Sequence, residues 1–184
     1  MATITATTPA IAAGTWNVDP SHSSVEFQVK HMGIATVKGF FSEFAGSLEV
    51  AEDGTVTAAG TVDAASVNTR NPQRDEHLRS PDFFDAENRP ELGFRSKAVE
   101  QLDDESYRIV GDLTIRGTTR EVELHAVATG ADLDPWGNTR VGLEVTGEID
   151  RTEFGLTWNQ ALESGGVLVG KKVKILLDIS AVKA

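Results

Sequence analysis

Apolar and polar residues alternate along several stretches of this chain. In residues 25–30, Val, Phe and Val alternate with Glu, Gln and Lys. This period of two is typical of a β-strand that buries one face. The same alternation recurs in residues 56–62, 107–115, 122–128, 141–149 and 173–181. The pattern predicts an all-β protein.

Short turn sequences separate these stretches. They are Asp53-Gly54, Asp103-Asp104, Arg116-Gly117 and residues 134–138 (DPWGN). Strands joined by such short connections must be antiparallel, because a parallel pair needs a long crossover. Closure of the sheet removes its exposed edges. We therefore predict a single antiparallel, up-and-down β-barrel.

One segment, near residues 71–85, interrupts the strands and is predicted to be a short helical insertion. Asn71 can cap a helix, and Pro72 suits the first helical position, where no N–H is needed. Asp75 and Arg79 have the spacing of an i,i+4 ion pair on the surface of that helix. A second cap-like pair, Ser80-Pro81, ends the helix.

The length of 184 residues suits one domain, and no linker divides it. Residues 1–13 are rich in Ala and Thr without a period, and we expect them to form a flexible N-terminal arm. The barrel domain then spans residues 14–184.

Charge and composition narrow the range of partners. A formal net charge of −11 disfavours binding to nucleic acid and to anionic membrane surfaces. The chain has no cysteine, which excludes thiolate chemistry and Cys-based metal sites. No apolar run approaches the ~20 residues of a membrane-spanning helix. The first residues lack the basic and apolar regions of a secretory signal, so we expect a cytoplasmic location.

The side chains on the inner face of the predicted barrel include several small ones. These are Ala58, Gly60, Gly111, Ala126, Ala128 and Gly147. Small inward residues in a barrel of about eight strands can leave room for one ligand. Alternatively, the glycines mark bends, and neighbouring large side chains fill the space. The Phe residues at 40, 41, 44, 83 and 84 fit either the wall of a ligand tunnel or an ordinary core.

Polar residues of the insertion also allow two interpretations. His77 is either a structural hydrogen-bonding residue or a ligand contact. Arg70, Arg74 and Arg79 form a dense positive cluster in an acidic chain. They either make solvated salt bridges, which contribute little, or hold an anionic or polar head group at the mouth of the barrel.

Catalytic and metal sites find little support in the sequence. Ser21-His22 resembles a nucleophile beside a base, but adjacent residues of an extended chain face opposite ways, and no third residue is marked as the orienting group. The four histidines show no spacing typical of a metal site, although His31 and His77 could meet in space. We predict no catalytic residue and no metal ligand.

A set of short motifs in a fixed order resembles the YceI-like family. They occupy residues 16–23 (WNVDPSHS), 27–32 (FQVKHM), 39–41 (GFF), 74–78 (RDEHL), 82–85 (DFFD), 111–117 (GDLTIRG) and 154–158 (FGLTW). The resemblance extends from about residue 15 to residue 182. It implies a lipocalin-like antiparallel barrel with a long apolar tunnel for a polyisoprenoid chain or another long-chain lipid, and it implies no catalytic activity. Many relatives carry a secretion signal, which this chain lacks.

Pattern and resemblance together identify candidate site residues. Candidates for the tunnel wall are Phe27, Val29, Phe40, Phe41, Phe44, Leu78, Phe83, Phe84, Ile109, Leu113 and Ile115. Candidates for the head-group site are His31, Arg70, Arg74 and His77.

We expect the protein to bind, store or transport a long-chain isoprenoid lipid of the quinone or prenyl diphosphate type. No cofactor is required beyond this bound lipid, which is also the expected partner. An acidic barrel can pair through an exposed strand, so a homodimer is an option. The alternatives are a structural or interaction protein with a filled barrel and, third, a lipid-modifying enzyme.

Overall fold

The computed structural model describes residues 11–184, which form an antiparallel β-barrel with one short α-helix. The strands are β1 (Gly14–Val18), β2 (Ser24–His31), β3 (Ala35–Phe41), β4 (Phe44–Val50), β5 (Val56–Asp63), β6 (Val67–Asn68), β7 (Glu91–Gln101), β8 (Ser106–Ile115), β9 (Thr118–Leu133), β10 (Thr139–Asp150) and β11 (Val169–Lys183), and the helix is α1 (Pro72–Arg79). Short 3₁₀ turns cover Pro20–His22, Ala64–Ser66 and Arg151–Phe154. The predicted all-β, up-and-down, lipocalin-like barrel is confirmed.

Eight strands close the barrel in the order β1-β4-β5-β7-β8-β9-β10-β11, and β11 pairs back to β1. The simple meander has one exception, since β2 and β3 do not lie between β1 and β4. The 15-residue length of β11 explains this: its last three paired residues, 181–183, pair with β1, and residues 169–178 pair with β2, at Leu177↔Val25 for example. The β2–β3 hairpin therefore extends the wall at one end of the barrel.

The two ends of the barrel differ in what they carry. We call the end with α1 and the turns at residues 32–34 and 116–117 the helical end. The end with the turns at residues 102–105 and 134–138 is called the acidic end. At the helical end, Arg116 and Gly117 both have positive φ, +51° and +74°, as a two-residue type I′ hairpin turn requires.

The insertion folds as predicted in outline, and one contact differs. The Asn71 side chain accepts a hydrogen bond from the Arg74 N–H, and Pro72 opens α1. The expected surface ion pair between Asp75 and Arg79 is absent from the described residues. Asp75 is buried instead, and its carboxylate accepts hydrogen bonds from the backbone N–H and hydroxyl of Thr69 at 2.8 and 2.6 Å. These bonds join α1 to β6, which a surface pair would not do.

Two hydrophobic clusters fill the two halves of the barrel. The cluster nearer the acidic end contains Trp16, Tyr107 and Val141, and the cluster nearer the helical end contains Phe41, Phe83 and Phe154. No helix of residues 11–184 is long and apolar enough to cross a membrane.

The predicted flexible arm of residues 1–13 lies mostly outside the described residues. Its last residues, however, are packed. Ile11 is buried in the cluster nearer the acidic end, and the indole N–H of Trp16 donates to the carbonyl of Ala12 at 2.9 Å. Ile11 and Ala12, which were predicted to belong to the arm, therefore contact the barrel.

Candidate functional site

A cavity of about 500 Å³ lies inside the barrel and is lined by members of both hydrophobic clusters. Its size falls in the range of sites for small organic ligands. Inward side chains of most strands contribute to its wall, and these are mainly aliphatic and aromatic. The barrel interior is thus not completely filled by its own side chains.

Most of the residues predicted for the tunnel wall line this cavity. They are Phe27, Val29, Phe41, Phe44, Leu78, Phe83, Phe84, Ile109, Leu113 and Ile115. Phe40 does not line it, and its inclusion among the wall residues is corrected here. Successive residues of a strand face opposite sides of the sheet, so Phe40 and Phe41 cannot both point inward.

The small residues of the inner face divide into two groups. Ala58, Gly60 and Ala126 line the cavity. Gly111 does not leave free volume, because a Cβ there would lie 2.5 Å from the ring of Phe94. Gly147 is likewise covered by Leu124, whose side chain would lie 2.4 Å from an added Cβ. Both interpretations of the small residues therefore hold, at different positions.

An aromatic group forms the cavity wall at the helical end. The ring of His77 packs edge-on against Trp158 and Phe83, with ring centroids 4.7 and 5.0 Å apart. Phe41 packs against Phe84 at 5.6 Å. His77 Nε2 lies 2.9 Å from the carboxylate of Asp82, which fixes the orientation of the imidazole. His77 thus combines the structural and the cavity-lining roles that the sequence left open.

Of the residues predicted for a head-group site, His31, Arg74 and His77 line the cavity and Arg70 does not. Arg70 is exposed in a turn with φ of +63°, which directs the chain away from the wall.

Arg74 is a residue of α1, and its guanidinium contacts Thr69, the residue that follows β6. Its Nε donates to the hydroxyl of Thr69 at 2.7 Å, and its Nη2 donates to the Thr69 carbonyl at 2.9 Å. The same Thr69 hydroxyl donates to Asp75. Arg74 makes no salt bridge to a carboxylate among the described residues. Its guanidinium therefore brings positive charge to the cavity wall with some hydrogen-bonding capacity unused.

Arg151 is a buried cation that the sequence analysis did not identify. It is 5% exposed and lines the cavity. Its guanidinium donates to the backbone carbonyls of Leu156, Trp158, Val169 and Gly170 at 2.6–3.2 Å. No salt bridge joins it to a carboxylate within residues 11–184, and burial lowers its pKa. Arg151 holds the loop that carries Trp158 against β11.

The wall residues missed by sequence reasoning carry a weak signal. Phe154, Leu156 and Trp158 follow β10 with a period of two, and all three line the cavity. This segment lies outside any strand, but its side chains alternate as those of a strand do. The two hydrogen bonds from Arg151 to its backbone explain this alternation. Nothing in the local pattern marks Arg151 itself.

Ser21, His22 and Asp19 lie together beside Arg140 at the acidic end, and none of the three lines the cavity. The 3₁₀ turn brings Ser21 and His22 to the same side, contrary to the expectation for an extended chain. His22 Nδ1 lies 2.8 Å from Asp19 and 3.2 Å from the Ser21 hydroxyl, which itself donates to Asp19. A catalytic relay uses the two different nitrogens of the imidazole, and here both contacts fall on the same one.

The acidic end also holds a polar network. Arg140 pairs with Asp19 and with Asp134, at 2.8 and 2.9 Å. Burial alone would raise the pKa of Asp134, but hydrogen bonds from Asn138 and Arg140 outweigh it and lower this pKa to about 2. Hydrogen bonds, the largest from Ser21 and Arg140, lower the pKa of Asp19 well below its usual range. Every charge in this network has a partner.

No group of three or more His, Asp or Glu side chains within residues 11–184 is arranged to hold a metal ion. His31 and His77 both line the cavity.

Comparisons with known proteins agree with this architecture. The YceI-like domain model matches residues 16–181. Relatives include the UPF0312 proteins SAB2563 and SAUSA300_2620 from two strains of Staphylococcus aureus. Each is 40% identical over 159 residues, covering 85% of this chain and 90% of the relative.

Solved structures share the fold. BcnA of Burkholderia cenocepacia superimposes with a TM-score of 0.77 at 21% identity, covering 89% of this chain and 98% of that one. A YceI protein of Campylobacter jejuni gives 0.72 at 28%, with coverage of 84% and 90%. A polyisoprenoid binding domain from Saccharophagus degradans gives 0.69 at 13%, with coverage of 92% and 98%. At the identities of the first and third, the likeness is one of fold alone.

Proposed function

The chain is a member of the YceI-like family, and we propose that it binds a long-chain isoprenoid lipid in the barrel cavity without changing it chemically. The observation that carries this proposal is the apolar cavity of about 500 Å³. The domain from Saccharophagus degradans, which shares this fold, is named for polyisoprenoid binding, and that name supports the same ligand class here.

Burial of the lipid tail accounts for the affinity. Each methylene removed from water contributes ~0.8 kcal/mol, so a five-carbon unit contributes roughly 3 to 4 kcal/mol before the chain is ordered. Such burial is non-directional, and a wall of aliphatic side chains and rings needs no specific bond to the tail. A few repeating units therefore suffice for tight binding.

The cations of the helical end favour a polar or anionic head group there. Arg74 and Arg151 line the cavity, and neither forms a salt bridge to a carboxylate within the described residues. A diphosphate or a quinone oxygen near Arg74 would accept a charge-assisted hydrogen bond. The head group then sets orientation, and the tail extends into the barrel between strands such as β5 and β8.

Two alternative functions have less support from the structure. A structural or interaction protein with a filled barrel does not need the cavity, whereas a lipid carrier does. A lipid-modifying enzyme needs an acid, a base or a nucleophile at the ligand, and none of Ser21, His22 and Asp19 lines the cavity. Storage or transport of the lipid, a cytoplasmic location and a homodimer remain predictions.

Organic extraction of freshly purified protein, followed by mass spectrometry, tests the proposal. We expect a prenyl lipid to be recovered, or to be taken up from added prenylquinone after delipidation. Recovery of no lipid, together with no uptake, would contradict the proposal and favour the filled-barrel protein.

A pair of neighbouring variants localises the bound lipid. Ala58 lines the cavity, and its neighbour Thr57 is exposed and does not line it. Ala58→Leu should reduce uptake, because its added carbons occupy volume needed by the tail, and Thr57→Leu should leave uptake unchanged. Equal uptake by both folded variants would place the lipid outside this cavity.

A further inference from the structure

The helical end carries an exposed apolar tip formed by Met32, Ile34 and Val167. These side chains are 44, 77 and 49% exposed. They are neighbours, because the backbone N–H of Met32 donates to the carbonyl of Leu168 at 2.8 Å. The residues next to them in sequence, His31 and Leu168, line the cavity. The apolar tip therefore lies directly outside one end of the lipid cavity.

The conformation of this turn does not suit its side chains. Met32 has φ of +55° and Gly33 has φ of +70°. The left-handed region is adopted more readily by Gly, Asn and Asp than by Met. A polar turn would fit this geometry and remain soluble, so packing within the protein does not explain the choice of Met32 and Ile34.

A group of lysines lies on the strands that lead to the apolar tip. Lys30, Lys38, Lys171, Lys172 and Lys174, which we call the lysine group, are all exposed. Strand pairing brings them together, since Lys38 and Lys174 both lie opposite Gln28 on β2. The chain has seven lysines, and the five of the lysine group lie on the three neighbouring strands β2, β3 and β11.

The positive charge of the lysine group is not neutralised by direct pairing. None of the five makes a salt bridge in residues 11–184, and Lys30 donates to the hydroxyl of Thr36. The facing carboxylates include Glu148 and Asp150, which lie opposite Lys174 and Lys172 in the β10–β11 register. Glu26 on β2 lies diagonally from Lys38 and Lys174, and Glu163 is in the loop before β11. Lysines thus outnumber the nearby acids in a chain of net charge −11.

The acidic end provides the contrast within the same molecule. It also exposes large apolar side chains, those of Leu102, Leu133 and Trp136. The residues beside them are acidic, with Asp103, Asp104 and Glu105 in one turn and Asp132 and Asp134 in the other. An anionic surface would repel this end.

We propose that the apolar tip and the lysine group together form a docking surface for an anionic lipid bilayer, where the cavity exchanges its ligand. Apolar side chains enter the boundary of head groups and acyl chains, and the lysines pair with anionic lipids while their stems cover apolar surface. The net negative charge of the protein then orients the helical end toward the membrane. This surface extends the proposed function, because a lipid of low solubility must enter from a bilayer.

Vesicle flotation with the full chain tests the surface. The probes are phosphatidylcholine vesicles with and without phosphatidylglycerol. We expect binding only to the phosphatidylglycerol vesicles and a loss of binding at high salt, which screens the lysines. Lys171→Gln with Lys172→Gln should weaken binding roughly 25-fold, since one lysine near an anionic surface contributes about fivefold.

Two matched variants separate the ends of the barrel. Ile34→Ser should weaken vesicle binding about tenfold, and Trp136→Ser, an equally exposed change at the acidic end, should leave it unchanged. Absence of vesicle binding by the wild type, or an equal loss for Trp136→Ser, would overturn the docking surface. Loss of a dimer in Ile34→Ser without any vesicle binding would assign the tip to a second copy of the chain and overturn it as well.

The proposed function is tested separately in the same samples. Prenylquinone delivered from detergent should be taken up by Ile34→Ser and by the lysine double variant as by the wild type, since neither change alters an inward side chain. Uptake without vesicle binding would overturn the docking surface and leave lipid binding intact. Vesicle binding without uptake would overturn lipid binding alone.

Discussion

The two ends of the barrel are built on the same strands, but they differ in how their charged side chains are paired and in how much free volume they contain. At the acidic end, Arg140 is paired with two carboxylates and Trp16 is buried in a packed cluster. At the helical end, Arg74 and Arg151 have no carboxylate partner in the described residues, and the rings of His77 and Trp158 line a cavity. The paired charges and the closely packed side chains of the acidic end stabilise the fold. Unpaired cations beside empty apolar volume are the features of a binding site.

Leu113→Asp is expected to have the largest effect on the helical end. Leu113 lines the cavity, and a carboxylate there would have to be desolvated without a partner. Uptake of a prenylquinone, measured by extraction and mass spectrometry, should be abolished.

Thr114→Asp is the control for this change, because the next residue of β8 faces the opposite side. It should bind lipid as the wild type does, provided that circular dichroism shows both variants folded. Normal uptake by folded Leu113→Asp would remove β8 from the binding wall.

Replacement of one tryptophan in each half should separate stability from binding. Trp16 is 1% exposed, and Trp16→Ala should lower the free energy of unfolding by about 3–5 kcal/mol. Trp158 is only partly buried, so Trp158→Ala should destabilise less but weaken prenyl lipid binding about tenfold, through loss of ~1.5 kcal/mol of contact. Denaturant unfolding and lipid titration measure the two effects. The reverse ranking for either property would contradict the division into a structural and a binding half.

Arg74→Gln should sharpen the assignment of the head group. Gln keeps some hydrogen-bonding capacity and loses the charge, so binding of a prenyl diphosphate should weaken more than binding of a prenylquinone of the same chain length. We expect a difference of about tenfold, measured by competition for the cavity. Equal losses for both lipids would restrict Arg74 to holding α1 through Thr69.

The smallest expected effect is a pH dependence confined to the acidic end. The pKa of Asp134 is lowered to about 2, so its stabilising contribution is present above its ordinary pKa and is lost as the pH falls from about 4 toward 2. Arg140→Gln removes a cause of this lowering and should move acid unfolding, followed by circular dichroism, to higher pH. Lipid uptake at neutral pH should not change. An unaltered acid transition in Arg140→Gln would show that this network does not stabilise the acidic end.

The strands and the insertion could be predicted because their signals are local. Alternation identified β2, β5, β8, β9, β10 and β11, and Asn71-Pro72 marked the start of α1. The position of β2 beside β11 could not be predicted, since it depends on the length of β11 and on register between distant segments.

The cavity wall was predictable only in part. The alternation along β8 places Gly111 on the inner face of the barrel, but it does not show that the ring of Phe94 covers it. Choosing Phe41 over Phe40 requires the register of β3, and the buried position of Asp75 requires knowledge that Thr69 faces it. Net charge also averages over the lysine group, so the value of −11 does not show where positive side chains are concentrated.

Quenching of tryptophan fluorescence by a prenylquinone tests most directly whether the cavity binds lipid with its head group at the helical end. The three tryptophans report on three places: Trp16 in the packed half, Trp136 at the acidic end and Trp158 at the cavity. Titration of delipidated protein should give saturable quenching that persists in Trp136→Phe and is largely lost in Trp158→Phe. Absence of saturable quenching, or quenching that survives in Trp158→Phe and disappears in Trp136→Phe, would contradict the account.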